Sequence, residues 1–214
     1  MSATSGEHKD RLKGLYAITD EKLIPEEYFS EIIESALLGG TKIIQYRDKS
    51  DNQQKRLAQA NTLRMLCTKY NATFIINDDI ELAKAVNADG VHLGRDDAAL
   101  SNARQELGED AVIGISCYND IELALIAEKN SADYVAFGTM FSSPTKPEAV
   151  MATPTLISEA KPQLNIPVCG IGGITAENIH QLIKHQADMA AVISSLFAAG
   201  DIKQTAIKLS QHFS

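Results

Sequence analysis

Cysteine is scarce in this sequence. Cys67, Cys117 and Cys169 are odd in number, far apart and set in apolar surroundings, and no CxxC pair occurs. That excludes a disulfide framework and gives no sign of zinc or thiol-redox chemistry; the three read as reduced core residues of a cytosolic protein. Basic residues are outnumbered as well, 20 Lys and Arg against 28 Asp and Glu, for a net charge of −8 with no long acidic block. An extended nucleic-acid surface is excluded, although a local cationic pocket is not. No apolar run approaches membrane-spanning length, and the opening MSATSGEHKDRLKG is polar with no apolar signal core. No Ser-His-Asp or Cys-His arrangement stands out, so covalent catalysis is not suggested. The expectation is a soluble cytoplasmic protein that meets neither nucleic acid nor membrane, one domain over residues 1–214 with residues 1–13 as a polar extension.

What is present is periodic. Short runs rich in Val, Ile and aromatics recur: GLYAIT (14–19), KIIQYR (42–47), TFIIND (73–78), GVHLG (90–94), VIGISC (112–117), YVAFGT (134–139), PVCGIGG (167–173) and MAAVISS (189–195). Most are apolar on both faces, as parallel strands covered by helices are. Between them lie segments of helical period. EEYFSEIIESALLGG sets Phe29, Ile32, Ile33, Ala36 and Leu37 on one stripe and closes with Gly39 and Gly40. NDIELALIAEKN repeats the pattern, with Asn119 or Asp120 available to cap it. Strand then helix, eight times without a linker, is the signature of a single (β/α)8 TIM barrel. A doubly wound open sheet is the alternative, because periodicity does not show closure.

In a parallel barrel the active site forms where the strands end. Gln45, Arg47 and Lys49 of IIQYRDK fall at every second position and so share a face, following two core isoleucines. A strand fraying into a solvated turn would explain that stretch alone. The other strand ends, however, are polar too: Asn77, Asp78 and Asp79; Asp96 and Asp97; Ser116; the loop TMFSSPTKPEA with Ser142, Ser143, Thr145 and Lys146; Gly170, Gly172 and Gly173; Ser194 and Ser195. GIGGIT leading into AENIHQLIK is a glycine turn before a helix, a place where backbone N–H groups approach a phosphate. Asp78 and Asp97 end neighbouring strands and suit Mg2+, while Arg47, Lys49 and Lys146 suit anionic oxygens; together they describe a diphosphate clamp. Asp48, Asp79 and Asp96 read as helix caps or solvated charge. His92 reads as a packed core histidine, and His180 and His185 as surface positions.

LYAITD, IIQYRDK, FIINDD, DGVHLGRDD, GISCYN, the SSPTK loop and PVCGIGGIT, in this order over roughly residues 14–200, resemble the thiamine-phosphate synthase family. The resemblance implies a (β/α)8 barrel using Mg2+. It also implies the joining of 4-amino-2-methyl-5-hydroxymethylpyrimidine diphosphate to a carboxythiazole phosphate, with release of diphosphate and CO2. By that resemblance Gln45, Tyr46, Arg47, Asp48, Lys49 and Asn77 contact the pyrimidine diphosphate, and Asp78 and Asp97 hold Mg2+. Ser116 faces the reacting pyrimidine and Lys146 binds the leaving diphosphate; with Arg47 these are the implied catalytic residues. The thiazole phosphate falls to Ser143, Pro144 and Thr145, to Gly173, and to Ile193 with Ser194. The family's loop commonly reads Thr-Glu-Thr-Lys; here Ser143, Pro144 and Thr145 precede Lys146, and the proline removes an N–H donor. The alternatives are a thiazole tautomerase on the same barrel, which needs no diphosphate clamp, and a non-catalytic phosphate sensor keeping only the GIGG pocket. The oligomeric state is not legible.

Overall fold

The computed structural model describes residues 11–94, 97–142 and 151–213, with the side chains of Asp97 and Ala98 outside the description. The strands are β1 (Gly14–Ile18), β2 (Ile43–Tyr46), β3 (Thr73–Asn77), β4 (Gly90–Leu93), β5 (Val112–Tyr118), β6 (Tyr134–Phe137), β7 (Val168–Ile171) and β8 (Met189–Val192). Each pairs in parallel with the next, and β8 returns to β1, so the sheet is a closed barrel and not an open one. The long helices between them are α1 (Phe29–Leu38), α2 (Gln53–Tyr70), α3 (Ile80–Ala85), α4 (Asp97–Leu107) and α5 (Ile121–Lys129). They are followed by α6 (Pro154–Ala160), α7 (Ile179–Lys184), a single turn α8 (Ser194–Phe197) and α9 (Ile202–Ser210). Among the described residues no helix is long and apolar enough to cross a membrane.

Local chemistry sets these boundaries. The apolar stripe of α1 buries Phe29, Ile33, Ala36 and Leu37, with Ile32 packed at its edge. Gly40, at φ +96°, supplies the left-handed residue that turns the chain into β2. The Asn52, Asp79, Asp120 and Asp201 side chains each accept a backbone N–H in the first turn of the helix that follows. Asp79 is thus a cap, as its position suggests.

Period-2 alternation sorts the strand residues into two layers. Leu15, Ala17, Ile44, Phe74, Ile76 and Val135 pack outward against the helices. Tyr16, Ile18, Ile43, Ile75, Val112, Tyr134, Cys169 and Met189 fill the barrel. Leu12, fully buried, joins that interior cluster. All three cysteines are buried and free, and burial pushes the Cys67 and Cys117 thiols up to about 12.

Candidate active site

The alternation that fills the barrel also aims its polar residues. Ile43 and Gln45 point inward from β2; Arg47 and Lys49 continue the same phase past its end. Gln45 is buried inside the barrel and its Nε2 donates to the Tyr16 hydroxyl at 2.6 Å. The chain beyond β2 is tied to the end of β1: the Arg47 N–H donates to Thr19 Oγ1 at 2.8 Å, and Arg47 lies 4.0 Å from Asp20. Lys49 reaches across to Asp78, Nζ to Oδ2 at 3.0 Å, and the Asn77 amide donates to the same oxygen at 2.7 Å. Asp78 holds φ +61°, a left-handed conformation that lifts the chain off β3, while its N–H stays bonded to the His92 carbonyl. Gln45, Arg47, Lys49, Asn77 and Asp78 therefore share one rim.

Tyr46 and Asp48 do not. Their side chains fall in the opposite phase and face the helices, away from that rim. Tyr46 is buried with an edge-on contact to Phe29 and a 3.0 Å bond from its hydroxyl to Gln59. The Asp48 carboxylate, 1% exposed, pairs with Lys55 at 2.8 Å and accepts the Ser50 N–H at 2.7 Å. It is neither solvated nor in the pocket; it is the buried anchor of the β2–α2 turn.

His92 was the residue the sequence hid. Val91 and Leu93 pack outward, so His92 points into the barrel mouth, Nδ1 2.9 Å from the Tyr134 hydroxyl and Nε2 2.9 Å from Ser116 Oγ. His92 and Ser116 thus form a pair that the sequence does not single out. Its third member is a phenol and not a carboxylate, and burial drives the imidazole down to about 4, against a weaker upward pull from Asp78. A base that weak does not activate a serine near neutral pH, so the pair does not make a hydrolase triad. Burial raises the hydroxyl pKa of Tyr16 and of Tyr134, so both remain protonated. Their hydroxyls meet at 2.8 Å. Ser116 itself sits beside a register shift in β5, where Cys117 is the extra residue; such bulges re-aim side chains at barrel rims.

Across the mouth, β7 ends at Ile171 and turns through Gly172 and Gly173, at φ +99° and +63°. A Cβ on Gly173 would lie 2.5 Å from the Phe141 carbonyl oxygen. These glycines thus let two loops pack together, with the Met140 and Phe141 N–H groups donating to Ile171 and Gly172. Helix α7 starts at Ile179, not at the glycines; between them Asn178 folds back, donating to the Gly173 carbonyl and accepting from the Thr175 N–H. Ile171 is in register with Ala191, so Gly173 and Ile193 stand two residues beyond that pair, with exposed Ser194 next. Lys146, Ser143, Pro144 and Thr145 lie outside the described residues, as does the Asp97 side chain; the backbone of Asp97 begins α4.

A family model described as thiamine monophosphate synthase matches residues 15–196. The chain belongs to the thiamine monophosphate synthase family. It is 48% identical to a thiamine-phosphate synthase of Nitrosococcus oceani over 94% of this chain and 93% of that one. It is 47% identical to another from Thioalkalivibrio sulfidiphilus over 95% and 97%. A solved thiamine phosphate pyrophosphorylase from Pyrococcus furiosus superposes with a TM-score of 0.86 at 35% identity, covering 96% of both chains. This member of the family is an enzyme of thiamine biosynthesis, a transferase that makes thiamine phosphate on a TIM barrel.

Proposed function

We propose that the barrel mouth joins 4-amino-2-methyl-5-hydroxymethylpyrimidine diphosphate to a carboxythiazole phosphate, releasing diphosphate and CO2. The observation that carries this reading is the convergence of Gln45, Arg47, Lys49, Asn77 and Asp78 on one rim, with Ser116 inside it and the Gly172–Gly173 turn opposite. Gln45 and Ser116 take the pyrimidine ring, and Arg47 and Lys49 take its diphosphate. Gly173, Ile193 and Ser194 take the thiazole phosphate. Ser143, Pro144, Thr145 and Lys146 follow β6 in sequence and precede α6, and in this reading Lys146 supplies a further cation for the leaving group.

The donor set fits Mg2+. Asp78 presents a carboxylate 54% exposed on the rim, and Asp97 begins α4 on the neighbouring strand's loop. Two carboxylates completed by water and phosphate oxygens are what this hard cation takes. Bound there, it would offset charge on the diphosphate. The protein's own residues do the rest. Cleavage of the methylene C–O bond sends the electron pair to the diphosphate oxygen, and the amino-substituted ring stabilises the cation left behind. The thiazole nitrogen lone pair then forms the new C–N bond, and the bond to the carboxylate breaks to release CO2, leaving its electron pair on the ring carbon, which takes a proton from solvent. Arg47 and Lys49 stabilise the oxygen that gains charge, an electrostatic contribution that needs no nucleophile.

A thiazole tautomerase would have no use for Arg47, Lys49 and Asp78 on that rim. Incubating the protein with both substrates, with and without Mg2+, and following thiamine phosphate by chromatography separates the two. The account expects product only with both substrates and the metal; isomerised thiazole as the sole product would replace it.

A further inference from the structure

Resting on the substrate reading above, we infer that Tyr16, Tyr134 and His92 are positioning residues that form one directed hydrogen-bond chain from Gln45 to Ser116. That chain sets together which end of the pyrimidine half-site accepts and which donates. Four links connect five side chains: Gln45 to Tyr16 at 2.6 Å, Tyr16 to Tyr134 at 2.8 Å, Tyr134 to His92 Nδ1 at 2.9 Å, and His92 Nε2 to Ser116 Oγ at 2.9 Å. Each link holds one proton, and each phenol, the neutral imidazole and the serine has one to give.

The protons can be counted along the chain. The Gln45 amide nitrogen donates to Tyr16, so the Tyr16 proton goes to Tyr134 and the Tyr134 proton goes to His92 Nδ1. The imidazole must then carry its proton on Nε2 and give it to Ser116 Oγ. The serine O–H is left over, directed at the ligand. Gln45 keeps Oε1, an acceptor, on the side away from Tyr16. Reversing the Gln45 amide reverses every link and exchanges the roles of both ends. In either direction the chain leaves one donor and one acceptor, never two of a kind. Any mixed arrangement strands a buried proton or lone pair. With the Gln45 amide nitrogen toward Tyr16, the acceptor suits an exocyclic amino N–H and the donor a ring nitrogen, the hydrogen-bonding set of an aminopyrimidine. A 4-oxo ring, with N–H and C=O exchanged, requires the whole chain to turn over.

The rings of Tyr16 and Tyr134 are fully buried in the barrel interior, and Gly114 leaves the space that the Tyr134 ring fills. The phenols are therefore held, and their hydroxyls are the only part that Tyr→Phe removes.

The test has two arms. In the first, 15N-histidine-labelled protein without ligand is examined by NMR at pH 8, where an imidazole is neutral. Wild type should show His92 protonated on Nε2, and Tyr134→Phe should lose that single-tautomer signature while its melting temperature confirms a folded barrel. A wild-type His92 protonated on Nδ1, or a tautomer indifferent to Tyr134→Phe, overturns the chain. This arm uses no substrate, so it stands even if the substrate reading falls. In the second, kcat/KM is measured with the 4-amino and 4-oxo pyrimidine diphosphates. Tyr134→Phe should reduce the amino-over-oxo preference by about tenfold, the order expected when one hydrogen-bonding partner at a recognition edge is released. An equal loss on both substrates would show a structural role and refute the positioning one.

Discussion

Replacing Lys55 by Met should destabilise this protein without touching its substrates. The Asp48 carboxylate is 1% exposed and its ammonium partner stands 2.8 Å away on α2. Removing one member of a buried pair costs about 3–5 kcal/mol because the other is left as an uncompensated charge. Two features soften that here. The Ser50 N–H remains at 2.7 Å, and Lys55 is itself 17% exposed, so water can reach the vacated space. The expected loss is ~2–3 kcal/mol, and at roughly 2–4 °C per kcal/mol for a chain of this size the melting temperature falls by about 5–10 °C. Asp48→Asn in the Lys55→Met background removes the stranded charge and should recover more than half of the loss. The pH dependence supplies a second check. Burial raises the Asp48 pKa, but the bonds from Lys55 and Ser50 outweigh it, so the folded carboxyl titrates below its ordinary range. A folded pKa below the unfolded one gives stability that is complete above about pH 3.9 and is lost as pH falls through the folded value. Without Lys55 the folded pKa rises from its lowered position, so acidification costs the variant less stability than it costs wild type. The gap in melting temperature between the two should therefore narrow from pH 7 to pH 4. A Lys55→Met protein that melts with wild type, or an Asp48→Asn protein that keeps its stability but binds the pyrimidine diphosphate poorly, would return Asp48 to the substrate rim.

Three further outcomes are expected. A methyl on Gly114 would overlap the buried Tyr134 ring, so Gly114→Ala should cost about 1–3 kcal/mol by overpacking and lower turnover, read by melting temperature and kcat; an unaffected kcat would deny that the ring matters. Asp78→Asn keeps the volume but removes charge that Lys49 pairs with and that the proposed Mg2+ would need, so activity at limiting Mg2+ should fall by more than tenfold and recover in part at high Mg2+, with normal turnover as the contrary result. Ser194→Ala should raise KM for the thiazole phosphate and leave that for the pyrimidine diphosphate unchanged; the opposite pattern would show the two halves of the pocket reversed. Gly173→Val is the poorer probe of that phosphate, since its side chain would strike the Phe141 carbonyl before it met a ligand.

The barrel was legible because eight apolar runs separated by amphipathic helices leave few other ways to bury both faces of every strand. Closure was not, since it depends on β8 reaching β1. Period-2 alternation already put Gln45, Arg47 and Lys49 on one face. The same rule turns the Tyr46 and Asp48 side chains toward the helices, where the structure has them. His92 was hidden by its apolar neighbours. Yet Val91 and Leu93 facing the helices already require His92 to face the interior, where a polar ring needs partners, and strand-borne Tyr16 and Tyr134 raise the same requirement. The helix expected directly after the glycines begins later because Asn178 closes a turn first, a local hydrogen bond that periodicity does not register.

The account's central claim is that two half-sites share one barrel mouth, and a crystal structure with thiamine phosphate, diphosphate and Mg2+ bound tests it most directly. The aminopyrimidine ring should lie between Gln45 and Ser116, the diphosphate against Arg47 and Lys49 with the metal on Asp78, and the ester phosphate over Gly173 and Ser194. A product bound with its ester phosphate on Arg47 and Lys49 and its pyrimidine over the Gly172–Gly173 turn would contradict it.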